Sequence, residues 1–236
     1  MLTETQYEIL QRAPLFRGHT LEEIIKLLPC LNTTTKNYDA DELILTQGSI
    51  VQYIYIILEG QIEIAKENFA GQKNIVSVLA PGNIFGEGVV CSKERIAPVL
   101  ATALTKATIL LIPYERVITG CEHGCSFHYS LIRNMMLLLG EKNYQLNVKM
   151  DLLLLKGMRE KLVTYLLSEA QHSASLSFTI NLNRNQLADY LNVSRTSMCR
   201  ELSRMKDEGL IDYYQNSFKI LDQKKLYEAL DVPHKA

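Results

Sequence analysis

The chain has 236 residues, of which 47% are hydrophobic and 22% are charged, and its formal net charge is −1. This composition is typical of a soluble globular protein, and the length suits two modest domains. A net charge so close to zero excludes a protein that is basic throughout, so any nucleic-acid-binding patch must be local.

The sequence carries no signal for export. Its first residues lack the basic and then apolar order of a signal peptide, and no apolar run is long enough to span a membrane. The five cysteines are odd in number and do not follow the spacing of a disulfide framework. We therefore expect a cytoplasmic protein with reduced thiols and no membrane partner.

The N-terminal half contains two kinds of pattern. Apolar residues recur at helical spacing over residues 4–28, where Thr20 is a predicted N-cap. Over residues 33–113 the period becomes two, and turns that contain Gly recur. Many short, evenly spaced strands indicate an antiparallel barrel or jelly roll. The predicted strands are Thr33–Tyr38, Glu42–Thr46, Tyr53–Glu59, Gln61–Lys66, Asn74–Leu79, Ala101–Leu104 and Thr108–Pro113.

A long helix is predicted from about Tyr129 to Leu153, in a stretch with no Pro and one Gly. Its apolar residues occupy the a and d positions of a coiled-coil heptad, and a buried Asn143 at position a would favour a two-stranded parallel pair. A second apolar face, with Leu131, Met135 and Leu138, leaves open that the helix packs within a larger helical core. The predicted dimer seam contains Ile132, Met136, Leu139, Asn143, Leu146 and Met150.

The C-terminal part returns to helical patterns. A helix over residues 159–171 is followed by a Ser-rich loop and a short strand, Ser177–Leu182. Two short helices come next, Arg184–Leu191 and Arg195–Glu208, and a hairpin is predicted after Gly209.

The segment Asn183–Met205 has the layout of a helix-turn-helix. Asn183 and Gln186 have the spacing of a capping box, and Ala188 is small enough to let the two helices cross closely. Ser194 is the predicted cap of the second helix. The shared core is predicted to contain Leu187, Leu191, Val193, Met198 and Leu202.

The second of these helices has the features of a recognition helix. The N-terminal residues of such a helix face base edges in the major groove, where Arg presents two donors to guanine and hydroxyl groups suit phosphates or bases. The alternative is a small helical pair with solvated arginines, and the flanking strand, hairpin and long helix make that alternative less favoured. The predicted DNA-binding residues are Arg184, Ser194, Arg195, Thr196, Ser197, Arg200 and Arg204.

The order of β-roll, long helix and winged helix-turn-helix resembles the Crp/Fnr family of bacterial transcription regulators over nearly the whole chain. The resemblance implies that Arg195 and Arg200 help to read the operator. Family members often have Glu directly after the first of these arginines, whereas this chain has Thr196, so the best-known half-site of the family is not expected. The matching segments are Ile44–Gly48, Tyr53–Gly60, Pro81–Glu87, Asn185–Leu191 and Val193–Ile211.

The resemblance also bears on the effector. Members that bind cyclic AMP hold it in the β-roll with a Gly-Glu pair and, further along, an Arg-Ser pair. Gly86 and Glu87 match the first pair, but Ala97 and Pro98 stand at the second. Ala has no charge and Pro has no backbone N–H, so an anionic phosphate loses its partners unless a shifted loop brings Arg95 into place. The predicted effector pocket contains Gly86, Glu87, Ala97, Pro98 and Val99. We expect it to bind an unknown small molecule rather than cyclic AMP, and the alternative is that it binds nothing.

Cysteines offer a second sensing hypothesis. Cys121, Cys125 and His128 would lie on one face of a helix, and sulfur with imidazole suits zinc, haem or a redox switch. Free Cys also packs as a small hydrophobe, which is the favoured interpretation here and for Cys199, so no metal or other cofactor is predicted. Because only Cys30 lies near the N-terminus, the resemblance does not imply the iron–sulfur cluster of the family's oxygen sensors.

These observations predict an α+β chain with three parts. Residues 1–125 form a cyclic-nucleotide-binding-type β-roll, residues 126–156 a dimerisation helix, and residues 157–236 a winged helix-turn-helix.

The leading hypothesis is a homodimeric, sequence-specific transcription regulator that binds a palindromic operator in double-stranded DNA, with RNA polymerase as a further expected partner. The alternative is a sensor module that acts through protein partners, with redox or metal sensing by its cysteines. An enzyme is not predicted, because cupin-like enzymes need clustered His and carboxylate ligands and no His lies in a predicted strand.

Overall fold

The computed structural model describes residues 2–68, 71–119, 126–228 and 230. Contacts divide the chain into an N-terminal unit, residues 1–142, and a C-terminal unit, residues 143–236. This division falls inside the long helix, which therefore contributes to both units.

Two short helices open the N-terminal unit: α1, Glu4–Arg12, and α2, Leu21–Cys30, joined by a 3₁₀ turn over Pro14–Phe16. Each helix begins with a capping box. At α2, the Thr20 hydroxyl accepts a hydrogen bond from the Glu23 N–H at 3.3 Å, and the Glu23 carboxylate accepts one from the Thr20 N–H at 2.8 Å. The N-cap predicted at Thr20 is therefore confirmed.

The predicted β-roll consists of two four-stranded antiparallel sheets. Their strands are β1 Thr34–Tyr38, β2 Leu43–Leu45, β3 Tyr53–Glu59, β4 Ile62–Glu67, β5 Lys73–Leu79, β6 Ile84–Phe85, β7 Leu100–Ala103 and β8 Ala107–Pro113. One sheet has the order β1-β8-β3-β6 and the other β2-β7-β4-β5. All seven predicted strands are present, with ends that agree to within one residue. The additional strand β6 is too short to show a period in the sequence.

Strand β3 forms the centre of the N-terminal core. Residues 54–58 are all buried, because one face of β3 packs inside the roll and helix α1 lies against the other. The amide of Gln6 in α1 donates a hydrogen bond to the Glu59 carboxylate at 2.9 Å, which fixes the helix at the end of the strand.

Two short helices flank the sheets: α3, Glu87–Val90, and α4, Tyr114–Ile118. The long helix α5, Ser126–Leu154, begins three residues before its predicted start. Its Leu131 and Met135 are buried in the N-terminal core, so the predicted second apolar face does pack on the helix's own domain. Near the other end of the helix, a different set of side chains packs in the C-terminal core.

Polar contacts attach the beginning of α5 to the N-terminal turn. The Asn134 amide donates hydrogen bonds to the carbonyl oxygens of Leu15, at 2.9 Å, and Arg17, at 2.8 Å. His19 Nε2 lies 2.5 Å from Ser130 Oγ. These contacts satisfy polar groups of the turn and define the orientation of the helix on the N-terminal unit.

The C-terminal unit combines four helices with a three-stranded sheet in the described residues. They are α6 Met158–His172, β9 Ser177–Thr179, α7 Arg184–Leu191, α8 Arg195–Asp207, β10 Ile211–Tyr214, β11 Ser217–Ile220 and α9 Gln223–Glu228. Strand β11 pairs antiparallel with β10 and with β9, and the β10-β11 hairpin is the predicted wing. The strand predicted as Ser177–Leu182 is too long, because its pairing ends at Thr179. Helix α9 was not predicted.

Candidate nucleic-acid interface and effector site

Helices α7 and α8 form a helix-turn-helix whose first helix is capped as predicted. Asn183 Oδ1 accepts hydrogen bonds from the N–H groups of Asn185 and Gln186, both at 3.0 Å, and Gln186 Oε1 accepts one from the Asn183 N–H at 2.9 Å. Helix α7 ends at Leu191, and the next residue, Asn192, caps it with a left-handed φ of 52°. Asn tolerates this conformation better than most residues, so it suits the tight turn between the helices.

Ser194 occupies the predicted N-cap position of α8, with extended backbone, but its hydroxyl makes no capping hydrogen bond within the described chain. The prediction was right about the position and wrong about the contact. The exposed hydroxyl and the first N–H groups of the helix are therefore available to an anion such as a phosphate.

The inner faces of α7 and α8 share one apolar core. The small side chain of Ala188 is buried at 2% exposure, which permits the close crossing of the helices. Val193 packs at the edge of the same core. The other core residues predicted from the sequence are also buried: Leu187, Leu191, Met198 and Leu202.

The outer face of α8 is polar and strongly basic. It forms a shallow depression that contains three arginines, three small side chains and one carboxylate: Arg195, Arg200, Arg204, Thr196, Cys199, Ser203 and Asp207. Ser197 is exposed beside them. The structure thus brings together the residues of α8 that the sequence assigns to DNA binding, and it places Cys199 at the boundary of the core, where it is partly buried.

Arg184 behaves differently from the other predicted DNA-binding residues. Its guanidinium lies 4.9 Å from the ring centroid of Tyr213 and 4.8 Å from that of Phe218, both in the wing hairpin. Its two terminal nitrogens are enclosed and have no hydrogen-bond partner among the described residues, and burial lowers the pKa of this guanidinium. This placement does not support the prediction that Arg184 contacts DNA; its contacts attach α7 to the wing.

An ion-pair network that the sequence patterns do not predict joins α6 to α8. Arg159, in the first turn of α6, donates from Nε to Glu201 at 2.6 Å and from its two terminal nitrogens to Glu208 at 2.7 and 2.8 Å. The second oxygen of Glu201 accepts a hydrogen bond from Arg204 at 3.0 Å. The hydrogen bonds to Glu208 and Glu201 raise the pKa of Arg159, and the guanidinium lowers the pKa of Glu208. The one signal in the sequence is the seven-residue spacing between Glu201 in α8 and Glu208, the residue that follows the helix.

In the β-roll, Gly86 and Glu87 adopt the geometry of a tight strand-to-helix turn. Gly86 has a φ of 82°, and a Cβ at this position would lie 2.8 Å from the Tyr55 ring, so only Gly fits. Glu87 is 5% exposed, and its Oε1 lies 2.6 Å from the Lys142 ammonium nitrogen of α5. Burial raises the pKa of Tyr55 to about 12, so this phenol stays neutral beside the turn.

The residues that stand at the family's phosphate-binding pair face other partners. Ala97 is buried, and its N–H donates to the Ser49 carbonyl at 2.9 Å. Pro98 is exposed, and Val99 packs against the core. Arg95 pairs with Glu115 at 2.7 Å and lies over the Tyr114 ring at 4.9 Å, so its charge is directed to α4.

The side chains of the predicted seam on α5 fall into two groups. Met136, Leu146 and Met150 are 70%, 67% and 55% exposed, although they are large and apolar. Asn143 is also exposed and accepts a hydrogen bond from the Asn147 amide at 2.8 Å. Ile132 and Leu139 are half-buried. A single chain therefore leaves much of this apolar row uncovered.

Two of the residues in the proposed cysteine cluster, Cys121 and Cys125, lie outside the described residues. His128 is buried at 5% exposure. Within the described part of the chain, no group of three or more His, Cys, Asp or Glu side chains is arranged to hold a metal ion.

Two family models match the two halves of this architecture. The cyclic nucleotide-binding domain matches residues 35–123, and the Crp-like helix-turn-helix domain matches residues 160–229. The chain belongs to the Crp/Fnr family. It is a Crp/Fnr-type DNA-binding transcription regulator.

Relatives of this Crp/Fnr chain are similar over most of their length. The cyclic AMP receptor protein of Thermus thermophilus is 24% identical over 84% of this chain and 88% of its own. The nitrogen fixation regulation protein FixK of Bradyrhizobium diazoefficiens is 24% identical over 82% of this chain and 80% of its own. The transcriptional activator protein FnrA of Stutzerimonas stutzeri is 22% identical over 77% of this chain and 74% of its own.

Solved structures share the fold of this Crp/Fnr chain. The Thermus thermophilus catabolite activator protein has a TM-score of 0.52 at 22% identity and covers 92% of this chain and 98% of its own. A mutant of CooA from Carboxydothermus hydrogenoformans has a TM-score of 0.56 at 17% identity, over 97% of both chains. Among the described residues, we find no helix with the length and apolar character that crossing a membrane requires.

Proposed function

We propose that the protein acts as a homodimer that reads a palindromic DNA operator with α8 and responds to a small molecule, other than cyclic AMP, in its β-roll. One observation carries this proposal. Arg195, Arg200 and Arg204 are exposed together on one face of a helix whose opposite face is fixed in an apolar core. A rigid helix with a basic outer face suits the negatively charged major groove.

Each side chain on this face has a role that its chemistry supports. Arg195 and Arg200 can each present two donors to O6 and N7 of a guanine. Arg204 lies a turn further on and suits a phosphate, and the hydroxyl groups of Ser194 and Ser197 can donate to phosphate oxygens near the helix N-terminus. Thr196 offers a hydroxyl and a methyl group, so it would contact thymine or a phosphate rather than accept a hydrogen bond from cytosine.

The uncovered apolar row on α5 supports the homodimer. Met136, Leu146 and Met150 continue the heptad seam, and pairing with a second copy would remove them from water. A two-fold dimer presents two recognition helices about 34 Å apart, one turn of B-DNA, and therefore requires a roughly palindromic operator. RNA polymerase is the further partner that we expect for a regulator bound at such a site.

The proposal is tested by selecting bound DNA from a random duplex pool with the purified full-length protein. We expect an enriched palindrome. Replacing Arg195 or Arg200 with Ala should weaken binding to it by about 5- to 150-fold, as expected for the loss of a bidentate base contact. Lys224→Ala removes one charge from α9 in the same unit and serves as the matched control. Failure to enrich a palindrome, or arginine variants that bind like Lys224→Ala, would contradict the proposal.

Cyclic AMP is expected to leave operator affinity unchanged. Ala97 and Pro98 offer no charge to its phosphate, and Arg95 already pairs with Glu115. Calorimetric titration and operator binding with and without cyclic AMP would measure this, with the Thermus thermophilus cyclic AMP receptor protein as the positive control. Operator binding that depends on cyclic AMP would show that the loop rearranges to supply a phosphate site.

A further inference from the structure

The outside of the β-roll carries an open cleft with a volume of about 610 Å³. The N-terminal segment with α1, helix α2 and strands β1 and β8 line it, and none of the five residues predicted for the effector pocket is among the lining residues. A volume of this size lies in the range of pockets that bind small molecules. The cleft is therefore a candidate binding site apart from the one predicted inside the β-roll.

Strand β1 gives the cleft a row of neutral polar side chains. Thr33, Thr35 and Asn37 alternate along the chain, so their side chains point to the same face of the sheet. Thr108 of β8 stands opposite Asn37 in the register of the two strands. The Thr108 hydroxyl donates to Asn37 Oδ1 at 3.1 Å or to Glu59 Oε2 at 3.3 Å. These contacts hold the Asn37 amide in place at the cleft.

Several polar groups of the lining are free to bind a ligand. Within the described part of the chain, the Asn37 NH₂ group and the hydroxyl groups of Thr35 and Tyr7 make no hydrogen bond. The Gln6 amide is fully used, because its oxygen accepts from the Thr3 N–H at 3.0 Å and its nitrogen donates to Glu59 at 2.9 Å. The cleft thus offers one free amide donor group and two hydroxyl groups that can each donate or accept.

The cleft also has an apolar surface and no balancing cation. Ile25 of α2 is 44% exposed although it is large and apolar, and the Tyr7 ring of α1 is half-buried. Among the described residues, no charged side chain lines the cleft. The Glu59 carboxylate, which is bonded to Gln6 and Thr108, places a negative charge beside it. A neutral ligand is therefore favoured, and an anion is repelled.

We propose that this cleft binds a neutral sugar. The hydroxyl groups of a sugar both donate and accept, which matches the free groups of Thr35, Asn37 and Tyr7. The C–H face of the sugar ring would pack on the Tyr7 ring and on Ile25, and so remove apolar surface from water. The inference goes beyond the proposed function, because binding at this cleft requires neither DNA nor an occupied β-roll.

The test uses the purified full-length protein with D-glucose, D-galactose and D-mannose, each beside its uronate. Saturation-transfer NMR detects binding, and titration gives the dissociation constant. We expect at least one of the neutral sugars to bind, and its uronate to bind more weakly because of Glu59. Thr35→Val should weaken binding of the neutral sugar by about 2- to 12-fold, as expected for the loss of one neutral hydrogen bond.

Thr34→Val is the matched control. Thr34 precedes Thr35 in β1 and is also exposed, but its side chain points to the opposite face of the sheet, so the variant should bind the sugar like the wild type. Tyr7→Phe removes only a hydroxyl group and should weaken binding as Thr35→Val does, which decides the question if Thr35→Val fails to fold. The proposal is overturned if none of the three sugars binds, if the uronate binds as tightly, or if the Thr35 and Thr34 variants behave alike.

Discussion

Replacing Leu146 with Asp is expected to convert the proposed dimer into a monomer. Leu146 is 67% exposed in the single chain, so the substitution leaves both cores intact. In a parallel pair of α5 helices, however, position d of one helix faces position d of the other. Two carboxylates would then meet in an apolar seam, at a cost of about 4 kcal/mol or more, which weakens the dimer roughly a thousandfold.

The oligomeric state is measured by sedimentation, and Leu137→Asp is the matched control. Leu137 lies on the same helix and is 55% exposed, but it falls outside the a and d positions of the heptad. We expect Leu137→Asp to remain a dimer. The monomeric Leu146→Asp should also lose operator affinity by about 100-fold or more, because each recognition helix then binds its half-site without the other. If both variants dissociate, or neither does, the seam lies elsewhere on the helix.

The β-roll strands could be predicted from the sequence because each alternates or forms an apolar run between turns. Strand β6 and helix α3 could not, because elements of two and four residues carry no measurable period. These two elements nevertheless carry Phe85 and Glu87. The most constrained part of the candidate effector site therefore lies in elements that are too short to show a hydrophobic period in the sequence. The resemblance of the Gly86-Glu87 pair to the family motif located it instead.

The polar partners within each site could not be predicted, for a different reason. Lys142 and Glu87 are 55 residues apart in the sequence, and only the packing of α5 on the β-roll brings them together. Arg184 illustrates the opposite situation. A basic residue in a helix-turn-helix suggests a DNA contact, yet the rings of Tyr213 and Phe218 lie close enough to enclose its guanidinium. The sequence records the charge of a side chain but not which neighbours the tertiary fold places around it.

Arg159 is predicted to be the residue on which the position of α8 depends most. Replacing it with Met keeps the length of the side chain but removes three hydrogen bonds to Glu201 and Glu208. The Glu201 side chain is only 11% exposed, so it would keep a carboxylate with one remaining partner, Arg204. We expect the free energy of unfolding to fall by about 2–3 kcal/mol. This is less than the cost of breaking a fully buried ion pair, because the network is only partly buried.

Operator affinity should fall as well, by about tenfold, because a recognition helix must be held within a fraction of an ångström to keep its base contacts. Arg159→Lys should lie between the wild type and Arg159→Met, since an ammonium group cannot reproduce the two parallel hydrogen bonds to Glu208. A variant that loses stability but binds the operator normally would show that the network supports only the fold. Unchanged stability would show that the network is too solvated to matter.

The pH dependence of this effect follows from the direction of one pKa shift. Arg159 lowers the pKa of Glu208 in the folded protein, so this carboxylate binds a proton more readily when unfolded. Its stabilising contribution is therefore complete above the unfolded pKa of about 4.3 and is lost as the pH falls through the lower folded value. Arg159→Met lacks this contribution at every pH.

The difference in unfolding free energy between wild type and Arg159→Met should hence be largest near neutral pH and shrink below about pH 4. Urea titrations at several pH values, followed by circular dichroism, would measure this difference. A difference that grows as the pH falls would mean that Glu208 does not carry the interaction, and that the variant is destabilised through the packing of α6 instead.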